Sequence, residues 1–417
     1  MEQPSKRIWL LQDGEPLPCD DGARLMRTGI LSEVLAARGW DVTWFASRFN
    51  HTFKSERTKD SPFEIAPNYR IYLLDGGAYR RNLSVRRILH QRAVARSFLR
   101  ATKGLVAPNV LLLSYPTPEL ALAGRSFATA RGLPYVVDIR DPWPDIFASY
   151  LAPPLRPLGS PLFSYYRKLA RGLFSSADSL ISSCQTMLQW SQSLANRPVG
   201  SNDRIFYHAY PSVSEFTETL SSAPFSQADP LRCVFVGSFG QSYDIPMVIE
   251  AARVLAQGNE RRVVFSIIGD GERRSEWEAL AKGVPQVEFT GWLSKNQLGQ
   301  HLLSSHVGLL VMSKGVSAFT IPNKLGEYLA HGLAVLNSMP NEAAAIVSKM
   351  QVGETVAPGH AGDLAKLILR WLENPALVAA YRARARTAFF QWFSAETVYN
   401  EYAKFIESRA KISATSD

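Results

Sequence analysis

The residues best suited to chemistry lie in one stretch, Ser317 to Val335, which reads SAFTIPNKLGEYLAHGLAV. Pro322 can open a helix without losing a needed donor, apolar residues recur at Leu325, Tyr328 and Leu329, and Gly332 provides a stop before the apolar run Leu333 to Leu336. The spacing predicts a short helix running into a buried strand. Asn323 and Lys324 then stand in the first turn, with Glu327 just beyond, where free amides and the helix dipole attract anions. Lys324 and Glu327 are three apart and share a face, so a cation and a carboxylate can reach one ligand together. A sugar nucleotide offers a diphosphate to the first and a ribose diol to the second. The competing reading is a surface Lys–Glu pair on an ordinary helix.

A second constellation is Asp138-Ile139-Arg140-Asp141-Pro142-Trp143-Pro144-Asp145, following the apolar run Pro134 to Ile139. Carboxylates and an arginine at the C-terminal end of a parallel strand lie where α/β folds place their chemistry, which makes Asp138, Arg140 and Asp141 candidates. A loop held by Asx turns ahead of proline is the alternative. Three further turns follow apolar runs: Gly237-Ser238-Phe239-Gly240 after Leu231 to Val236, Gly269-Asp270-Gly271 after Val263 to Ile268, and Gly291-Trp292-Leu293 after Val287 to Thr290. Glycines there let backbone amides approach a phosphate closely.

The elements that must position these residues read as two rounds of one grammar. Arg7 to Gln12 is a predicted strand, Ala23 to Arg38 a helix ended by Gly39, and Asp41 to Ala46 the next strand, a βαβ unit of the doubly wound kind. Its loop, Asp20-Asp21-Gly22-Ala23-Arg24, lacks the G-x-G-x-x-G dinucleotide fingerprint; Gly22 and Arg24 are its candidates, with a structural turn glycine as the alternative. The pattern restarts at Leu231 after a polar, turn-rich stretch. At 417 residues the chain suits two domains, predicted as 1–211 and 231–390, joined by a linker at 212–230 and followed by a C-terminal helical segment at 391–417. The connection from Phe49 to Asn68 reads as polar loop, and Pro153 to Pro161 as an irregular lead-in to a helix.

Composition narrows the class. Three cysteines, Cys19, Cys184 and Cys233, are far apart and suggest neither a disulfide framework nor a zinc site, which fits a reducing cytoplasm. No apolar run approaches the ~18 residues of a spanning helix, and the N-terminal run is too short for a signal sequence. The formal net charge of +9 is concentrated in one place. Arg80, Arg81, Arg86, Arg87, Arg92, Arg96, Arg100 and Lys103 occur with no acidic residue between Asp75 and Glu119. An anionic lipid surface, a nucleic acid or a merely solvated helix face could each account for such a patch; no helix-turn-helix, zinc-finger or RNP pattern supports nucleic acid. The stripe Leu162, Phe163, Tyr166, Leu169, Ala170, Leu173 and Phe174 opposite Arg167, Lys168 and Arg171 fits either an interfacial helix or one that covers a sheet.

Taken together, Pro322-Asn323-Lys324-x-x-Glu327-Tyr328-Leu329-Ala330-x-Gly332 closely resembles the donor-site helix of glycosyltransferase family 4. The resemblance implies a GT-B fold, α/β, with two Rossmann-like doubly wound domains facing a cleft. It also implies retaining transfer of a sugar from a nucleotide donor. On it, Gly237, Ser238, Gly269, Gly271, Trp292, Leu293, Asn323, Lys324 and Glu327 would bind the donor, Glu327 taking the ribose. Gly22 and Arg24 would lie on a cleft loop, and Asp138, Arg140 and Asp141, part of a D-x-R-D-x-W-P sequence shared with some members, would hold the sugar or the acceptor hydroxyl. The sequence departs from the family at Phe319, where the first Glu of its E-x7-E pattern falls, as it does in many P-N/S-K-x-x-E-Y-L members that build surface polysaccharides. Ser238 and Asp244 stand near positions where many members carry Arg and Lys, leaving Lys324 as the main expected cation.

No D-x-D motif calls for a metal, so the expectation is a metal-independent enzyme without a cofactor. Its partners would be a nucleotide sugar and a saccharide acceptor on a lipid diphosphate, met at the inner face of the cell membrane from the cytoplasm. The alternatives are a GT-B sugar-nucleotide epimerase and a non-catalytic subunit tethering a polysaccharide assembly to membrane.

Overall fold

Parallel sheets covered on both faces need strands that are apolar throughout rather than alternating, and the strand Val110–Tyr115, VLLLSY, is buried at every position. The computed structural model describes residues 6–20, 25–81, 84–150, 156–198, 200, 202–213, 229–313 and 321–411, excepting the side chains of 148–150 and 156–160. Gly22, Arg24, Phe319 and most of the 212–230 stretch lie outside the described residues. The chain divides into two units, Met1–Phe206 with Tyr399–Asp417, and Tyr207–Val398.

The first unit holds strands β1 (Arg7–Leu11), β2 (Asp41–Ser47), β3 (Phe49–Asn50), β4 (Ser55–Glu56), β5 (Phe63–Ala66), β6 (Tyr69–Leu74), β7 (Val110–Tyr115), β8 (Tyr135–Ile139), β9 (Ser179–Ser182) and β10 (Arg204–Ile205). Eight of them form a sheet in the order β10-β9-β8-β7-β1-β2-β6-β5, antiparallel only at β5–β6. β1 lies between β2 and β7, with Leu10 level with Trp44 on one side and Leu112 on the other. The winding therefore reverses between β1 and β7. The loops leaving these two strands diverge, and a crevice opens where doubly wound folds bind ligands.

Two expectations are corrected here. The stretch from Phe49 to Asn68 is not merely loop: it contains the β3–β4 hairpin and the antiparallel edge strand β5. Its polar composition hid β4 and β5, which are largely exposed and so need no apolar run. The lead-in Pro153 to Pro161 is helical from Arg156 onward, within the helix Arg156–Ser175. Prolines near a helix start replace amides that lack intrahelical partners, so Pro157 costs little there.

The helices Val85–Ala101, Pro118–Arg131 and Arg156–Ser175 lie along one side of this unit, the middle one packed against both others. Ala170, Leu173 and Phe174 are buried, whereas Leu162 and Tyr165 are each 51% exposed, so only the C-terminal half of that amphipathic stripe enters the core. Val85 and Leu89 also face solvent, beside exposed Arg86, Arg92, Arg96 and Arg100.

The second unit repeats the plan with β11 (Leu231–Val236), β12 (Val263–Ile268), β13 (Val287–Gly291), β14 (Val307–Leu310), β15 (Ala334–Asn337) and β16 (Gly353–Thr355). Their order is β13-β12-β11-β14-β15-β16, parallel throughout, and the winding reverses between β11 and β14. Phe235, Phe265, Trp277 and Trp371 fill its core.

His306, at the start of β14, accepts a hydrogen bond at Nδ1 from the Arg232 amide, 3.0 Å away. Burial, then Arg382 and Arg232, pull its pKa down to about 4 from an ordinary 6.5. The folded form therefore stays neutral over a range in which the unfolded form takes up a proton. Stability should fall as pH drops from 6.5 to 4 and level off below, by roughly 2 kcal/mol once partial exposure is discounted. Urea midpoints measured across this window should show His306→Gln lacking that component of the slope. A difference from the parent that stays constant from pH 4 to 6.5 would remove His306 from the account.

Candidate functional site

The predicted helix forms over Asn323–Ala330, with Pro322 extended at its N-cap. Gly332, at φ +63°, lets the chain close a Schellman motif, the amide of Leu333 bonding to the carbonyl of Tyr328 and that of Gly332 to Leu329. Tyr328 fixes the helix to the sheet. Its ring is fully buried against Gly308, where a Cβ would approach it to 2.4 Å, and its hydroxyl accepts from the Val236 amide at 3.2 Å while donating to the Leu309 carbonyl. The helix N-terminus is thereby set beside the end of β11, at the point where the sheet reverses its winding.

Lys324 reaches across this point. Its Nζ donates to the Tyr243 hydroxyl at 2.8 Å and lies 4.2 Å from that ring's centroid and 5.3 Å from that of Phe235. A Cβ on Gly237 would meet the ammonium at 2.6 Å, so the glycine makes room for the cation. The sequence-predicted Gly237 turn and Lys324 are thus one site. Glu327, three residues on, is half-buried and accepts at Oε1 from the Tyr210 hydroxyl, 3.0 Å away; Oε2 has no protein donor among the described residues.

The three glycine turns form a hydrogen-bonded row along the strand ends. Gly269 N–H donates to the Gly291 carbonyl at 3.0 Å, Gly237 N–H to Ile268 at 2.9 Å, and Phe239 N–H to Asp270 at 2.8 Å. Gly269 has φ +133°, and a Cβ there would lie 1.9 Å from the Gly237 carbonyl oxygen, which no side chain permits. Ser238 and Asn323 are exposed, Trp292 presents 66% of its surface, and Leu293 packs against the Val234–Ile268–Tyr328 cluster. Asp244 caps the helix Ile245–Gln257 through the Met247 amide, a structural task that accounts for a carboxylate in this position.

In the first unit the D-x-R-D-x-W-P residues separate by role. Asp138 is fully buried, bonded to Arg27 at 2.9 Å and Arg140 at 3.0 Å. Burial alone would raise its pKa, but the two guanidinium groups outweigh this and hold it below the ordinary range. Arg140 also pairs with Glu15 and donates to the Thr28 hydroxyl at 2.8 Å, while Glu15 receives the Thr28 amide at 2.8 Å. Asp138 and Arg140 therefore lock the β1 loop to the start of the helix Arg27–Ala37. Asp138 cannot reach a ligand without breaking two ion pairs.

Asp141 is open to a cavity of about 210 Å3 at the β1/β7 reversal, where it meets Asp13, His51, Arg87 and Trp143. Surrounding protein desolvates Asp141 and Asp13 and raises both pKa values. Sequence reading missed Asp13, His51, Arg87 and Trp143 as a group, along with Tyr243 and Tyr210 in the second unit. No spacing rule joins residues delivered by separate strand ends, although Asp13 directly after an apolar strand carried a positional hint.

Two doubly wound units of this order, the second with Lys324 against the Gly237 turn at its winding reversal, have the GT-B fold. Residues 230–374 match the family model for glycosyl transferases group 1. No curated protein matches the chain. Among solved structures it is similar to sucrose-phosphate synthase from Thermosynechococcus elongatus, at 16% identity and TM-score 0.67 over 97% of this chain and 98% of that one. HepE from Anabaena in complex with UDP is similar at 15% identity and TM-score 0.64, covering 97% and 100%. WaaG, a glycosyltransferase involved in lipopolysaccharide biosynthesis, is similar at 15% identity and TM-score 0.61, covering 96% and 99%.

Proposed function

We propose that this protein is a retaining glycosyltransferase that moves a sugar from a nucleoside-diphosphate sugar to a lipid-linked saccharide in polysaccharide or glycoconjugate biosynthesis. The observation that carries the reading is the Lys324 ammonium held over the Gly237 turn at the N-terminus of the Asn323–Ala330 helix. The diphosphate would lie on Lys324 and the first-turn amides, the ribose on Glu327, and the base against Trp292 and Leu293. As the glycosidic bond to the diphosphate breaks, negative charge grows on the leaving oxygen. Lys324 and the amides stabilise that charge without a metal, and the same oxygen takes the proton of the attacking hydroxyl on the retained face. Asp141 would contact the acceptor, with Asp138 and Arg140 positioning its loop. That HepE is known with UDP and with UDP-glucose supports a nucleoside diphosphate as the first ligand to try.

Calorimetric titration with UDP, GDP, ADP and dTDP tests the donor site. One of them should bind, and Glu327→Ala should weaken it about tenfold, the loss of a hydrogen bond to a charged acceptor. Unchanged affinity in Glu327→Ala, or no binding by any of the four, would remove the donor assignment.

The proposed cellular setting is the cytoplasmic membrane face. No described helix is long and apolar enough to cross a membrane. Exposed Leu89, Leu162 and Tyr165, together with Arg86, Arg92, Arg96 and Arg100, support a peripheral contact with anionic lipid.

A further inference from the structure

Glu327 owes its aim to a residue far away in the chain. Its Oε1 accepts from the Tyr210 hydroxyl at 3.0 Å, across 117 positions of sequence, which leaves Oε2 for a ligand. Tyr210 is itself held at both backbone groups. Its amide donates to the Phe393 carbonyl at 2.8 Å and its carbonyl accepts from the Ala395 amide at 3.0 Å, on either side of a bridge to Ser394. Phe393 closes a π-helical turn, Phe389–Phe393, in which the Ser394 amide reaches back to the Phe389 carbonyl at 2.8 Å. Turns of this kind gather at functional sites. Tyr207 stacks on the Phe393 ring, with centroids 5.2 Å apart and planes 20° apart, so the clasp is packed as well as bonded.

The Asn323–Ala330 helix lies directly on this clasp, all of it within the second unit. A Cβ on Gly326 would stand 3.6 Å from the His208 carbonyl oxygen, the Tyr210 Cβ and the Phe393 ring, which is ordinary contact distance. The Tyr210 ring centroid is also 6.1 Å from that of His331, whose Nδ1–H donates to the Glu327 carbonyl at 2.8 Å. Main chain and side chain of Glu327 are thus steadied from the same side. A glutamate on a helix surface otherwise loses rotamer freedom when it binds; one already fixed by a hydroxyl loses little. Fixing also sharpens selection, because a ligand that lacks the matching hydroxyl leaves a charged acceptor unmet.

We propose that Tyr210 is a positioning residue that presets Glu327 for a ribose diol, and that it gives the site a preference for ribonucleotide donors over those built on deoxyribose. This rests on the donor reading above and narrows its substrate class. Tyr210 touches no ligand: it acts through the carboxylate it holds.

Calorimetry on the full chain tests this, with UDP, GDP and ADP each titrated against its 2′,3′-dideoxy form. The parent should favour the ribose form of the nucleotide it binds by about tenfold or more, the worth of a hydrogen bond to a charged acceptor. Tyr210→Phe keeps the ring and its packing, and should cut that preference by about threefold or more. Its affinity for the dideoxy form should match the parent's, which also reports that the variant folds. Glu327→Ala should abolish the preference, and adding Tyr210→Phe to it should change nothing further, because the hydroxyl works only through the carboxylate. A merely structural tyrosine would lower both affinities together and leave their ratio intact. That result, a parent-like preference in Tyr210→Phe, or tighter ribose binding in that variant because its hydroxyl had competed with the ligand, would overturn the proposal. If the parent binds none of these nucleotides, shows no preference for ribose, or keeps its preference in Glu327→Ala, it is the donor reading that falls.

Discussion

Lys324→Ala should lower kcat/KM for sugar transfer by about 100- to 1,000-fold, some 3–4 kcal/mol of transition-state stabilisation, with little change in folding stability. The size follows from position. The ammonium is already fixed by the Tyr243 hydroxyl and two aromatic rings, so it needs no reorganisation as charge develops on the leaving diphosphate. Lys324→Arg should not rescue the loss. The gap above Gly237 fits the lysine terminus with almost no clearance, and a planar guanidinium is wider than an ammonium. Initial rates with the donor identified by titration, alongside a thermal melt, check both statements. Activity within threefold of the parent in Lys324→Ala would move the cationic role elsewhere.

Asp138→Ala should cost about 3–5 kcal/mol of stability, because it leaves Arg27 and Arg140 as buried charges without their shared carboxylate. Arg27 is 5% exposed, its guanidinium lies 4.9 Å from the Tyr402 ring centroid, and it donates to the Phe206 carbonyl at 2.8 Å, so it cannot swing out to water. The double change Asp138→Leu with Arg27→Met should recover part of the loss, since a matched apolar pair removes the stranded charge along with its partner. Urea denaturation of the three proteins measures this. A parent-like midpoint for Asp138→Ala would mean that water replaces the carboxylate and that the network is less tightly closed than its distances indicate.

Much of this molecule could be read before its coordinates. Strands such as Leu231–Val236 and Val263–Ile268 are apolar at all but one position because both sheet faces are largely covered, and a glycine follows each where the chain must turn beside its neighbour. The Asn323–Ala330 helix was legible from Pro322 at one end and Gly332 at the other. The charge network was not. Glu15, Arg27, Asp138 and Arg140 meet across more than a hundred residues of chain, and no local period records such a meeting. Asp138 therefore read as a ligand group when its neighbours make it a structural anchor.

The row of main-chain hydrogen bonds joining the Gly237, Gly269 and Gly291 turns bears on selectivity. A rim stitched together by its own main chain has few shapes available, so a ligand entering it surrenders its own freedom but little of the protein's. On the proposed donor reading, discrimination among bases would fall to what projects off that rim, chiefly the exposed Trp292, and a single substitution there would retune the preferred nucleotide while the rest of the edge stays as it is.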